Sequence, residues 1–364
     1  MRASTRRFFQ RNILFTAMII LSGQLLVLAD STTTKDRTIT KLAECVYEIR
    51  HPDAPDTFPQ GNTLVVIGEK AVLVVDSCLL PSSARLDIEQ IRKWTSKPVT
   101  YLVNTHWHFD HTLGNATYAA AFPSVQIIAQ KHTAKMIAEF NPGAVERYPG
   151  RAQRFKKALD TGKKPDGTPM SEGDRRDYQK SLDGLGPVVA EMKNAVQATA
   201  NITFDHELTL DLGNRVVELR FLGRANTAGD TVIYLPKEKI TAVGDMLDHP
   251  VPYFFGGFPV DLVGSLQSLS EIDVQAIVPG HGDVLHDKTY IEQVIGLARA
   301  VNLEVERELG QGKTPDEITA GLPKTFDVQS WRQKFVGNDQ EDIDFFDGSF
   351  EGLVKASVNQ VRIR

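Results

Sequence analysis

The sequence predicts an α/β protein in which two strand-rich halves form sheets that pack face to face with helices outside. Three observations carry that expectation. Residues 45 to 104 read as strands, a helix and a further strand, and residues 202 to 279 return to short β-branched strands separated by turns. Between these halves, one apolar strand runs straight into a loop dense in histidine, the arrangement of a site at a strand's carboxyl end.

Composition sets the outer bounds. With 364 residues, of which 41% are hydrophobic and 24% charged, the chain can bury a large core. A formal net charge of −5, with no basic stripe beyond the N-terminus, excludes a nucleic-acid binder and leaves a small molecule as the expected partner. Two cysteines, Cys45 and Cys78, are too few for a disulfide scaffold; both lie in or beside apolar runs and read as buried free thiols, with one disulfide as the alternative. They do not form a zinc-binding pair.

Residues 1–29 read as a signal peptide. Arg2, Arg6, Arg7 and Arg11 precede an apolar stretch from Ile13 to Leu28, and Val27-Leu28-Ala29 offers a small-residue cleavage site. Thr5-Arg6-Arg7-Phe8-Phe9-Gln10 resembles a twin-arginine export signal; general secretory export and an uncleaved anchor are the alternatives. The expected location is periplasmic or secreted, without stable membrane insertion after cleavage.

In chain order, strands are predicted at 45–49, 62–67 and 71–76, with a tight turn at Gly68-Glu69-Lys70. Leu86, Ile88, Ile91 and Trp94 stand at helical spacing and predict a helix over 81–94. Strands at 99–104 and 125–129 follow, then a helix from His132 to Phe140. A helical insertion is expected over about 141–200, its two helices separated by a polar connector from Thr161 to Asp177. Further strands fall at 202–204, 208–210, 216–221, 231–236, 240–243 and 276–279. Residues 290–364 read as helical, with Trp331, Phe335, Phe345 and Phe346 as packing residues.

The loop Thr105-His106-Trp107-His108-Phe109-Asp110-His111 places four ligand-type side chains within six residues of a chain with only nine histidines. His106 and His108 alternate to one side and can share an ion, while the turn offers Asp110 and His111 to a second. Imidazole and carboxylate donors suit zinc best, with iron or manganese possible. Three distant stretches put polar residues at strand ends: Gly223 to Asp230, Gly244-Asp245, and Pro279-Gly280-His281-Gly282. His132 reads as a helix-start residue or one that orients the site rather than a ligand, because no second ligand stands four residues on.

With its H-x-H-x-D-H loop and three later stations in order, the chain resembles the metallo-β-lactamase superfamily from about residue 40 to 290. The resemblance implies an αββα sandwich over residues 30–300, with the insertion at 141–200 and a helical extension at 301–364 packed on it. It implies a first metal site holding His106 and His108, a second holding Asp110, His111 and His281, and Asp245 bridging them. Asn226 stands where the first site takes a third histidine. An amide oxygen is a weaker ligand than imidazole, so of two zinc ions per chain the first should be held less tightly; alternatively Asn226 hydrogen-bonds a metal-bound water. Thr227, Asp230 and Asp76 read as residues that orient the loops. His249 and Tyr253 are candidate substrate contacts, and Phe254, Phe255 and Phe258 fit either a pocket wall or the core.

The implied activity is metal-dependent hydrolysis of an ester, lactone, thioester or β-lactam-type bond by a metal-bound hydroxide, with Asp110 as catalytic residue. A mononuclear iron enzyme acting as a persulfide dioxygenase and a non-catalytic periplasmic metal-binding protein are the competing expectations.

Overall fold

In the computed structural model, which describes residues 31–363 except 35, 36, 165, 166 and 196, the strands form two sheets. The signal-peptide segment, 1–29, lies outside the described residues. The first sheet takes its strands in chain order: β1 (Ser31–Thr34), β2 (Arg37–Ala43), β3 (Val46–Arg50), β4 (Thr63–Ile67), β5 (Val72–Val75), β6 (Val99–Val103), β7 (Gln126–Gln130) and β8 (Ile202–Phe204). The second runs β13-β12-β11-β10-β9, built from β9 (Glu207–Asp211), β10 (Val216–Arg220), β11 (Val232–Leu235), β12 (Ile240–Gly244) and β13 (Ala276–Pro279).

Side-chain alternation decides the layering, because successive residues of a strand face opposite ways. On β4 and β5, Leu64, Val66, Leu73 and Val75 point toward the second sheet and meet Leu210, Val217, Leu219, Ile233 and Leu235. Val65, Ile67, Val72 and Val74 point outward, where α1 (Pro81–Trp94) covers them with Ala84, Ile88 and Ile91. The outer face of the second sheet is covered by α8 (Pro259–Glu271), α9 (Thr289–Gly310) and α12 (Gln340–Val361) through Leu262, Leu266, Val294, Leu297, Leu353 and Val354. The result is the αββα order.

The short helices α2 (Phe109–Thr112) and α3 (Asn115–Ala121) follow the histidine loop directly; α8 is not among the predicted helices, although Pro259 at its start, Asp261 in its first turn and Leu262, Leu266 and Leu269 at helical spacing mark it. After α4 (Lys131–Glu139), residues 141–193 form α5 (Asn141–Arg147), a 3₁₀ turn, α6 (Arg151–Thr161) and α7 (Glu172–Lys193). The connector is shorter than expected: Ser171 caps α7 by accepting from the Asp174 amide while the Asp174 carboxylate accepts from Ser171 N–H, so the helix starts before Asp177. The C-terminal region adds α10 (Pro315–Thr325) and α11 (Val328–Phe335). Phe335 and Phe346 are buried as expected, but Phe345 is 44% exposed. Both cysteines are free, Cys78 buried and Cys45 only half-buried, because Cys45 sits in a turn at the edge between β2 and β3. Among the described residues no helix is long and apolar enough to cross a membrane.

The first sheet is parallel from β5 through β8, and the second has a single parallel pair, β12–β13; β5–β6 and β12–β13 lie at the edge of interest. The carboxyl ends of these four strands meet. Asn62 fastens the two sheets there: its amide nitrogen donates to the Pro279 carbonyl at 3.1 Å and to the Gly282 carbonyl at 2.9 Å, and its N–H donates to the Gly280 carbonyl at 2.7 Å.

Candidate metal centre

Six of the residues singled out in sequence converge at this edge. His106 Nε2 lies 3.1 Å from Asp245 Oδ2, and His108 Nδ1 lies 3.5 Å from the same oxygen. His111 Nε2 is 2.9 Å from Asp245 Oδ1 and 3.2 Å from His281 Nε2. His281 Nε2 in turn is 3.2 Å from Asp110 Oδ2. Asp245 therefore offers one oxygen to each group of histidines, as a bridging carboxylate would.

These approaches are close but do not complete hydrogen bonding. His106 Nε2 and Asp245 Oδ1 are buried and have no hydrogen-bond partner among the described residues. Orphaned buried polar atoms are costly and call for an explanation. Nitrogen and carboxylate donors aimed at common points provide one: the set fits divalent ions held by imidazole and carboxylate. Electrostatics agree. Burial alone would raise the Asp245 carboxyl, but the facing His106 and His111 rings hold it well below its ordinary range. Burial also opposes charge on His111, yet Asp245 and Asp110 hold it well above the ordinary imidazole value. A cluster that so favours cationic imidazoles is one in which metal ions can replace the protons.

The candidate ligands are positioned by hydrogen bonds and close packing. Asp76, at the end of β5, accepts from Thr105 N–H at 2.8 Å and Thr105 Oγ1 at 2.7 Å, and its Oδ2 is 3.0 Å from His111 Nδ1. This fixes the ring so that Nε2 faces the cluster, the role a carboxylate plays behind a metal-bound histidine. Asp76 adopts a left-handed backbone (φ 58°) to reach both partners. Two glycines make room: a Cβ on Gly61 would stand 2.4 Å from the His111 ring, and one on Gly280 2.1 Å from Asp245 Oδ1.

The metallo-beta-lactamase superfamily description matches residues 56–281, more than half of the chain and all six convergent residues. The chain belongs to the metallo-beta-lactamase superfamily. Among its relatives is a linear primary-alkylsulfatase of Pseudomonas sp. (strain ATCC 19151), 23% identical over 265 residues, covering 68% of this chain and 47% of the relative. The chain thus spans about half the length of that curated relative. The solved inverting sec-alkylsulfatase Pisa1 from Pseudomonas sp. matches with a TM-score of 0.60 at 14% identity over 88% of this chain and 50% of that one. DIM-1 metallo-beta-lactamase exposed to ceftazidime matches at 0.52 and 20% identity, over 74% of this chain and 99% of its own. At these identities the structural likeness establishes the fold.

Within this superfamily centre, Asn226 enters as a donor: its amide nitrogen lies 3.2 Å from Asp245 Oδ2, on the side of His106 and His108. Asp230 accepts from Thr227 N–H at 2.7 Å and from Thr227 Oγ1 at 3.0 Å, closing the turn that carries Asn226. Asp248 is a residue that sequence reading missed, although it follows Asp245 by three positions. It is buried, its Oδ1 accepts from His281 N–H at 3.1 Å, and burial with the neighbouring Asp245 charge pushes its carboxyl well above the ordinary value. His249 stands aside: its ring packs against Tyr290, centroids 5.2 Å apart, and its charged neighbours are Asp283, Arg50 and Asp342 rather than the convergent carboxylates.

Tyr253 faces the centre, 6.3 Å from the His108 ring between centroids. It begins an aromatic track, with Phe255 5.2 Å from Tyr253 and Phe345 of α12 5.5 Å from Phe255. Phe255 and Phe345 are 48% and 44% exposed, whereas Phe254 is buried in the core and Phe258 lies under Arg224. On the other side Trp107 meets Phe140 at 4.7 Å and His108 at 4.5 Å.

Proposed function

We propose that the chain is a metal-dependent hydrolase of ester-type bonds in a substrate that carries an apolar group, with sulfate esters of apolar alcohols as the foremost class. The observation that carries the hydrolase reading is the convergence of His106, His108, Asp110, His111, Asp245 and His281 around orphaned nitrogen and oxygen atoms. His106 and His108 with one Asp245 oxygen would hold one ion, and Asp110, His111 and His281 with the other oxygen a second. Zinc suits these donors best, and iron or manganese fits less well. Bound divalent ions supply acidity to a water, lowering its pKa to about 7, and charge that stabilises a leaving oxygen.

The chain's own groups set the geometry of the step. Burial would favour a neutral Asp110, but His111 and His281 hold its carboxyl below the ordinary value, so it is an anion able to orient a water and accept its proton. The Tyr253–Phe255–Phe345 track would hold the apolar part of the substrate beside His108. The sulfate-ester reading draws support from that track together with the named activity of the alkylsulfatase relatives.

A panel of an alkyl sulfate, a carboxylic ester, a lactone, a thioester and a β-lactam, run with the zinc-loaded full chain, tests the reading. Cleavage of the alkyl sulfate is expected to exceed the others. Turnover confined to the β-lactam or the thioester would overturn the substrate class, and no turnover of any member with both metals bound would favour a binding protein.

A further inference from the structure

A second convergence of ligand-type side chains lies behind Asp76, sealed from solvent. His51 follows β3, Cys78 lies two residues beyond Asp76, and Asp87 sits on α1; they are 7%, 0% and 0% exposed. Cys78 Sγ is 3.2 Å from His51 Nε2 and 3.4 Å from Asp87 Oδ2, and His51 Nε2 is 2.9 Å from that same oxygen. Ligands bonded tetrahedrally at 2.0–2.3 Å stand about 3.3–3.8 Å from one another, so the three atoms need to spread by only a few tenths of an ångström.

Proton accounting narrows what can lie between them. His51 Nδ1 is 2.9 Å from the Gly61 carbonyl, which only accepts, so Nδ1 carries a proton. In the neutral ring the Nε2 lone pair then faces the Asp87 carboxylate, acceptor against acceptor. Either a proton, carried by one of the two partners, or a metal ion must lie between them. A histidine that donates Nδ1–H to a backbone carbonyl and presents bare Nε2 is oriented as metal-bound histidines are.

The neighbours extend the same arrangement. Arg37 donates to Asp87 Oδ1 at 2.7 Å and leaves Oδ2 to the cluster. Thr63 Oγ1 stands 3.7 Å from Cys78 Sγ. Cys78 holds a left-handed backbone (φ 65°), a conformation rarely adopted by residues with side chains. Independently, Tyr118 is fully buried, and its hydroxyl has no hydrogen-bond partner among the described residues. That hydroxyl lies within electrostatic range of Asp87 and Cys78.

We propose that His51, Cys78 and Asp87 bind a divalent metal ion with thiolate affinity, zinc by donor set, at a structural site separate from the centre at the sheet edge. A water would complete the fourth position. On binding, the ion takes the place of two protons, the one between His51 and Asp87 and the thiol proton of Cys78, so the net charge of the buried cluster is unchanged. The ion would anchor Cys78 and His51, and through them Asp76, which fixes the His111 ring, and Gly61, which makes room for that ring.

The edge centre contains no sulfur, so cobalt distinguishes the two sites. The full-length chain produced in cobalt-supplemented medium is expected to show a sulfur-to-cobalt charge-transfer band in the near ultraviolet. Cys45→Ser should keep the band, while Cys78→Ser and His51→Gln should lose it together with one bound metal per chain. A folded, cobalt-containing wild-type chain without the band would overturn the proposal, as would a band lost in Cys45→Ser. If Cys78→Ser does not accumulate, the Cys45→Ser spectrum decides alone, because Cys78 is then the sole thiol.

Discussion

The two halves of the edge centre are built from the same loop but not to the same standard. On one side Asp110, His111 and His281 meet Asp245, and the His111 ring is fixed from behind by Asp76 at 3.0 Å. On the other side His106 and His108 share Asp245 Oδ2 with an amide, the Asn226 nitrogen at 3.2 Å, where a third imidazole would complete the set. A donor N–H competes for the carboxylate oxygen instead of adding a lone pair. If each half holds an ion as proposed, Asp245 would serve the two unequally, and the half containing Asp110 is expected to be the better holder.

Asp245→Ala removes the group common to both halves and should have the largest effect. Metal content is expected to fall on both sides and turnover to drop on the order of 10³-fold or more, read by metal analysis and initial rates. Asp110→Asn touches one half only, as ligand and proton acceptor. Its turnover should fall by roughly 10²–10⁴-fold while the circular dichroism spectrum is unchanged. Asp76→Asn keeps the shape but weakens the hold on His111, and a loss of about 10–100-fold in affinity at that half is expected by competitive chelation. Asn226→His should tighten the poorer half, by at least ~10-fold, and bring the two binding steps together. Phe255→Ala, in the middle of the aromatic track and outside the metal cluster, is the mildest change. It should raise KM several-fold for long-chain substrates and leave kcat and the metal count alone.

Much of this was legible in the residues. The runs Thr63–Ile67 and Val72–Val75 read as strands, and the 81–94 helix follows from its spacing; which strand face meets the other sheet was not legible, because both faces are apolar and buried. The histidine loop announces itself because its ligands are contiguous. Asp245 and His281 are single residues, and only their place in a known order marks them. Asp248, His51 and Asp87 carried no such mark: each is an ordinary polar residue in sequence, and burial beside another titratable group is what makes it notable. Phe345 misled because an aromatic on a helix reads as core, while here α12 turns it outward to meet Phe255. The shortened connector reflects the Ser171–Asp174 capping box, a signal present in the sequence and outweighed by the surrounding glycine and proline.

The most direct test of the account is stepwise restoration of the chelator-treated full chain with zinc, followed by calorimetry and turnover together. The account predicts loss of activity on chelation and two distinguishable binding steps at the edge centre, the tighter one abolished by His281→Ala and the weaker one strengthened by Asn226→His. Activity that survives complete removal of metal, or a weaker step unaltered by Asn226→His, would contradict it.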